Sequence, residues 1–274
     1  MKEHYINKIL CGDAKKILSE LPEKMVNMCV TSPPYYNLRD YEEESQLGNE
    51  KTDAEYISKL CDIFDEVYKV LADDGTLWVN IADTYKNKEL LNIPSKFAIE
   101  MCNRGWKLRN EIIWYKPNAM PCSAKDRFTI DYEKVFLFAK ESKYYFEQQK
   151  EPSKDSYGGK RGSSKTRKKF QSAMQDTSDV VTVYKERNVR CVWEINTEPF
   201  KGNHFATYPT KLVEVPIKSG CPEGGLVLDP FIGSGTTGLV ARRLNRNYLG
   251  IDLNPEYVEL ANKRILEDGD SELQ

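Results

Sequence analysis

The chain has 274 residues, 30% charged and 40% hydrophobic, with a formal net charge of −2. That length allows one large domain or one domain with an added lobe, and the composition is that of a globular protein. No apolar run approaches the roughly 20 residues of a membrane helix, and Met1-Lys2-Glu3-His4-Tyr5 lacks the apolar core of a leader. The seven cysteines are scattered without a Cys-x-x-Cys pair and only His4 and His204 join them, which argues for a reduced, cytoplasmic chain without a structural zinc.

Residues 5–12 read as a short strand, with Asp13 placed to cap a helix over Ala14–Leu21. Met25–Val30 is the next strand, and Thr31-Ser32-Pro33-Pro34-Tyr35 follows it. Two prolines with fixed φ and no N–H stop any regular element and leave a stiff, extended loop. That loop offers a hydroxyl (Ser32), a carbonyl (Pro33) and an aromatic face (Tyr35). Two acceptors and a ring suit a planar group bearing an exocyclic NH2, such as a nucleobase; a Pro-rich turn closing a strand is the plainer alternative. A loop through Arg39, Asp40 and Glu42-Glu43-Glu44 comes next. Thr52 or Asp53 caps a helix to about Leu71, with Ile57, Leu60, Phe64, Val67 and Leu71 at helical spacing. Asp73-Asp74-Gly75 reads as a turn and Thr76–Ile81 as a strand. Pro94 opens a helix to about Asn103, and Leu108–Tyr115 and Lys134–Ala139 are two further strands. Trp78, Trp106, Trp114 and Trp193 are expected in the core.

The pattern breaks over residues 141–190. From Lys150 to Arg190 there are 11 Lys/Arg against 5 Asp/Glu, on a chain that is acidic elsewhere. Ser156–Lys169 has almost no apolar residue to bury, so it is expected to be mobile when free. Its basic excess favours a polyanionic partner. Order resumes at Val189–Ile195. Helices are expected from Tyr208 to about Ser219, over Thr236–Leu244 and over Pro255–Leu266. Strands are expected at Leu226–Leu228 and Asn247–Ile251. Alternating strands and helices point to an α/β, doubly wound, mostly parallel sheet. The expected organisation is 1–140 and 203–274 as two halves of one domain, with 141–202 inserted.

Asp229-Pro230-Phe231-Ile232-Gly233-Ser234-Gly235-Thr236-Thr237-Gly238 lies between a buried strand and a helix and contains Gly-x-Gly-x-x-Gly. Glycines let backbone approach a ligand, and the helix start presents free N–H groups. Asp252 ends the next strand, where a carboxylate can accept both hydroxyls of a ribose. The glycine motif alone is shared by nicotinamide and flavin enzymes. Asp229 either holds its own loop by accepting N–H bonds or touches the ligand.

Together, Thr-Ser-Pro-Pro-Tyr near the start and Asp-Pro-Phe-x-Gly-Ser-Gly-Thr near the end resemble the amino-methylating DNA methyltransferases of bacteria and their viruses. The motif order is similar to the beta arrangement of that family. The resemblance covers most of the chain apart from about 141–190. It implies a Rossmann-like, circularly permuted methyltransferase fold in which S-adenosylmethionine is the cofactor and double-stranded DNA the substrate. A cognate restriction endonuclease is a partner it leaves open. Ser32, Pro33, Pro34 and Tyr35 are then the catalytic loop. Asp13, Thr31, Asp229, Phe231, Gly233, Ser234, Gly235, Thr236 and Asp252 form the cofactor site. They are joined by His204, Ala206, Tyr208 and Pro209 of a segment similar to the family's additional cofactor-site stretch. Lys160, Arg161, Arg167, Lys168 and Lys169 become candidate phosphate contacts in a target-recognition region. Serine at position 32 is the form more often seen with cytosine N4 methylation, aspartate with adenine N6. The expected reaction is therefore methyl transfer to cytosine N4, after the base has been flipped out of the duplex and stacked on Tyr35. A non-catalytic nucleic-acid-binding module and a Gly-x-Gly-x-x-Gly oxidoreductase are the rival readings.

Overall fold

The structure, a computed structural model, describes residues 2–37, 46–153, 185–198 and 208–271. After a short 3-10 turn, β1 (Lys8–Cys11) leads to α1 (Ala14–Glu20), whose N-cap Asp13 accepts from the Lys16 N–H at 2.8 Å. β2 (Val26–Thr31) precedes α2 (Asp53–Val70), capped by Thr52. β3 (Leu71–Ile81) is followed by a small hairpin, β4 (Tyr85–Lys86) and β5 (Glu89–Leu90), and by α3 (Ile93–Asn103) with Pro94 in its first turn. β6 (Lys107–Tyr115) and β7 (Tyr132–Ala139) come next, then β8 (Lys150–Pro152), β9 (Glu186–Asn188) and β10 (Val192–Glu194). The chain closes with α4 (Thr210–Gly220), β11 (Leu226–Asp229), α5 (Thr236–Arg243), β12 (Asn247–Asp252) and α6 (Pro255–Ser271).

Eight strands form one sheet in the order β1-β12-β11-β2-β3-β7-β6-β10. All neighbours are parallel except those of β7, which runs antiparallel to both β3 and β6. The period-2 alternation of each buried strand sends side chains to two helical layers. Leu77, Val79 and Ile81 of β3 join the core with α1, α2 and α3. Thr76 and Trp78 point the other way, so close to α4 that a Cβ on Gly220 would lie 2.5 Å from Thr76 Oγ1. The mostly parallel sheet with helices on both faces is the expected fold.

Two expectations change. Asp73-Asp74-Gly75 does not end an element; it lies inside β3. Leu71 pairs with Val26 and Thr76 with Met28, so the turn chemistry survives as a bulge in a longer strand. Within Val189–Ile195, where order was expected to resume, β10 covers Val192–Glu194. Finally, α6 runs past Leu266 to Ser271.

The chain divides into two compact units, Met1–Glu147 with Cys191–Gln274, and Gln148–Arg190. In the smaller unit β8 and β9 pair antiparallel. Lys160, Arg161, Arg167, Lys168, Lys169, His204 and Ala206 lie outside the described residues. No described helix is long and apolar enough to cross a membrane.

Candidate active site

β11 and β2 are neighbours, and the chain leaves them in opposite directions across the sheet. From β11 it winds through α5 to β12, and from β2 through α2 to β3. Their carboxyl ends therefore flank a topological switch point, where open α/β sheets bind ligands. The Ser32-Pro33-Pro34-Tyr35 loop leaves β2 there and the glycine loop leaves β11 there. Both line one cleft of about 560 Å³, within the range that holds a cofactor-sized molecule.

Asp229 joins the two loops at their roots. It is fully buried. Its Oδ1 accepts from Thr31 Oγ1 at 2.6 Å and from the Phe231 N–H at 3.0 Å, and its Oδ2 accepts from the Tyr208 hydroxyl at 3.0 Å and from Thr237 Oγ1. Burial pushes its carboxyl above the usual aspartate range, and these hydrogen bonds pull it back down. The same burial, with Asp229 beside it, raises the Tyr208 hydroxyl. Of the two sequence readings of Asp229, the geometry matches the loop-holding one.

Asp13, Tyr208, Phe231, Gly233, Ser234, Thr236 and Asp252 all line the cleft. Thr31, Pro209, Asp229 and Gly235 of the expected cofactor set do not line it. Thr31 is fully buried on Asp229, and Pro209 is buried as the N-cap of α4. Gly235 has φ 84° and a virtual Cβ 2.9 Å from Ala261, so a glycine there serves the turn and the packing of α6. At the end of β12, Asp252 accepts from the Gly233 N–H at 2.8 Å and the Asn254 N–H at 3.0 Å. Burial raises its carboxyl, against those backbone bonds. Each carboxylate oxygen keeps a lone pair for a ligand hydroxyl. Arg264 of α6 holds the glycine loop from behind, donating to Ser234 Oγ and Thr236 Oγ1, both at 2.9 Å.

Across the cleft Ser32, Pro33, Pro34 and Tyr35 are all at the surface of the cavity. The Pro34 carbonyl accepts from Tyr56 Oη at 2.8 Å, which pins the loop to α2. Tyr35 Oη lies 3.1 Å from Ser32 Oγ and 2.7 Å from Glu133 Oε2. Glu133 also accepts from Asn80 Nδ2 at 2.9 Å and pairs with Lys116, whose ammonium sits 4.4 Å from the Trp114 ring centroid. Burial beside Glu133 pushes the Tyr35 hydroxyl well above its usual range. Trp114 is buried as expected, yet one edge lines the cleft.

Asn80, Trp114, Lys116, Glu133 and Arg264 are not among the site residues expected from sequence. One had a signal: Asn80 interrupts the apolar run Leu77-Trp78-Val79, and a buried amide needs partners.

A family model described as DNA methylase matches residues 26–263. The chain is 39% identical over 283 residues to the type II methyltransferase M.Cfr9I of Citrobacter freundii, covering 93% of this chain and 86% of that one. It is 39% identical over 290 residues to M.SmaI of Serratia marcescens, covering 94% and 90%. Among solved structures, the cytosine-N4-specific PvuII DNA methyltransferase superposes with a TM-score of 0.68 at 21% identity, over 96% of this chain and 90% of that one. A DNA modification methylase of Thermus thermophilus, solved with S-adenosyl-L-methionine, superposes with a TM-score of 0.66 at 24% identity, over 96% and 95%. At those identities the structural likeness is one of fold.

Proposed function

This chain belongs to the DNA methylase family, and from that premise we propose that it methylates the N4 amine of cytosine in DNA, with S-adenosylmethionine as the methyl donor. The observation that carries this reading is the shared cleft, in which the Ser-Pro-Pro-Tyr loop faces the glycine loop. Serine at position 32 favours cytosine, by the resemblance to the family's N4 members. The type II relatives suggest a role in restriction–modification beside a cognate endonuclease.

S-adenosylmethionine supplies a methyl group already activated on a sulfonium. Phe231 and the Gly233 loop form the wall it would rest on, and Asp252 and Asp13 offer carboxylates to its hydroxyl and amine groups. The protein's remaining work is to position the amine. A cytosine amine is a poor nucleophile because its lone pair is delocalised into the ring. Ser32 Oγ and the Pro33 carbonyl would accept its two N–H bonds and turn the lone pair out of the ring plane. As positive charge develops on nitrogen, those bonds strengthen more in the transition state than in the ground state. Tyr35 would stack on the flipped base.

Incubation with unmethylated DNA and the methyl donor, then mass spectrometry of the digested nucleosides, is expected to give N4-methylcytosine. N6-methyladenine as the sole product would refute the choice of base and keep the amino-methyltransferase. No methyl transfer, with nucleic acid still bound, would favour the binding module.

Asp252→Ala is expected to weaken cofactor binding by about 1.5–3 kcal/mol, roughly 10- to 150-fold in Kd. Because burial raises this carboxyl, wild-type affinity should also fall on acidification, at a higher pH than an ordinary aspartate would cause. Unchanged affinity by calorimetry in a folded variant would remove Asp252 from the site.

Lys160, Arg161, Arg167, Lys168 and Lys169 are proposed phosphate contacts of a target-recognition region spanning about 141–202. Neutralising all five is expected to weaken DNA binding and flatten its salt dependence, with cofactor affinity unchanged. A wild-type salt slope would leave these side chains without a part in DNA binding.

A further inference from the structure

We propose that Glu133 is a positioning residue that fixes the direction of the Ser32–Tyr35 hydrogen bond, so that Ser32 meets the target amine as an acceptor. The inference rests on the amino-methyltransferase reading and adds a residue to it.

A serine hydroxyl is ambiguous, because it carries one proton and two lone pairs. Pointing its proton at the amine would oppose the lone pair that must attack. Something has to hold that proton away from the cleft. Tyr35 Oη is 3.1 Å from Ser32 Oγ, and that pair alone has no preferred direction. Glu133 supplies one. Its carboxylate only accepts, and it lies 2.7 Å from Tyr35 Oη, closer than Ser32. Tyr35 has a single proton, and the charged acceptor holds it. Asn80 Oδ1, at 3.1 Å, would draw the same proton the same way. The Tyr35 oxygen is then left to accept from Ser32. With its proton spent on Tyr35, Ser32 turns both lone pairs to the cleft.

The surroundings hold Glu133 to this task. Its side chain is 12% exposed and is paired with Lys116, which is 18% exposed. Asn80 Nδ2 donates to the same Oε2 that receives Tyr35. Asn80 and Glu133 come from β3 and β7, and Lys116 directly follows β6, with β7 between β3 and β6 in the sheet. The orienting group is thus built on strands while Ser32 and Tyr35 ride on the loop they orient.

Glu133→Gln and Tyr35→Phe are each expected to lower kcat about ten- to a hundredfold. KM for DNA and Kd for the cofactor should stay within about twofold for Glu133→Gln. The discriminating background is Ser32→Asp, whose side chain accepts without being oriented. There Glu133→Gln is expected to cost no further activity. An equal loss in both backgrounds would mean that Glu133 merely supports the fold, and an undiminished kcat in Glu133→Gln would overturn the proposal outright. Neutron diffraction of the deuterated wild-type protein reads the direction without any turnover. Deuterium on Tyr35 Oη aimed at Glu133 or Asn80, with that of Ser32 aimed at Tyr35, supports the arrangement; a Tyr35 deuterium aimed at Ser32 refutes it. A wild-type protein that transfers no methyl to DNA would instead fail the functional reading, while the neutron result would still decide the direction.

Discussion

Ser32→Ala is expected to slow methyl transfer about 100- to 1000-fold while leaving cofactor affinity intact. The loss falls on kcat because the hydroxyl binds the amine most strongly when charge is developing on nitrogen. Ser32 is only half-buried and has one described side-chain partner, Tyr35, so removing its oxygen should cost about 1 kcal/mol of stability or less. The proposed cofactor contacts lie across the cleft on the glycine loop and Asp252, which the substitution does not touch. Single-turnover rates with saturating cofactor and DNA measure the effect. A variant within about fivefold of wild type would mean that the Pro33 carbonyl activates the amine alone.

The parts of this site that were legible in the sequence are those written in local chemistry. Two prolines stop β2 and fix the loop after it, whatever the rest of the chain does. Glycines mark the β11–α5 turn, and Asp13 and Thr52 announce helices because caps act within three residues. The strand ends were less legible where pairing overrides turn chemistry. Asp73-Asp74-Gly75 has turn residues, yet Val26 and Met28 draw the flanking residues into one strand and leave a bulge. Glu133 was not legible at all. Its partners Tyr35 and Asn80 lie 98 and 53 positions away, and only the sheet order brings them together. The same holds for Arg264, 30 positions from the Ser234 it anchors. The cleft's chemistry is announced locally; the groups that orient it are supplied by topology.

Asp229→Ala is expected to destabilise the fold by about 3–5 kcal/mol, because buried donors left unsatisfied cost about 1–3 kcal/mol each. The substitution leaves buried Thr31 Oγ1 and the Phe231 N–H without their acceptor, and leaves the Tyr208 and Thr237 hydroxyls only each other. For a domain of this size that is a fall of roughly 6–20 °C in melting temperature. Asp229→Asn should be milder, near ~1 kcal/mol. Its amide oxygen can still serve Thr31 or Phe231, and the Tyr208 and Thr237 hydroxyls can turn to accept from the amide NH2. The pH dependence has a definite sign. Burial raises the folded-state carboxyl, so the contribution of this titration to stability is present below the ordinary aspartate pKa and is lost as pH rises through the shifted one. The Asn variant, which cannot titrate, should therefore lose less stability than wild type between the two values. Urea unfolding across that window, with cofactor titration of each folded variant, separates the two readings of Asp229. A destabilised Ala variant whose cofactor affinity recovers once it is folded would mark a residue that holds two loops together. Wild-type stability with lost affinity would make Asp229 a direct cofactor contact and undo its assignment as the tie between the glycine loop and the Ser-Pro-Pro-Tyr loop.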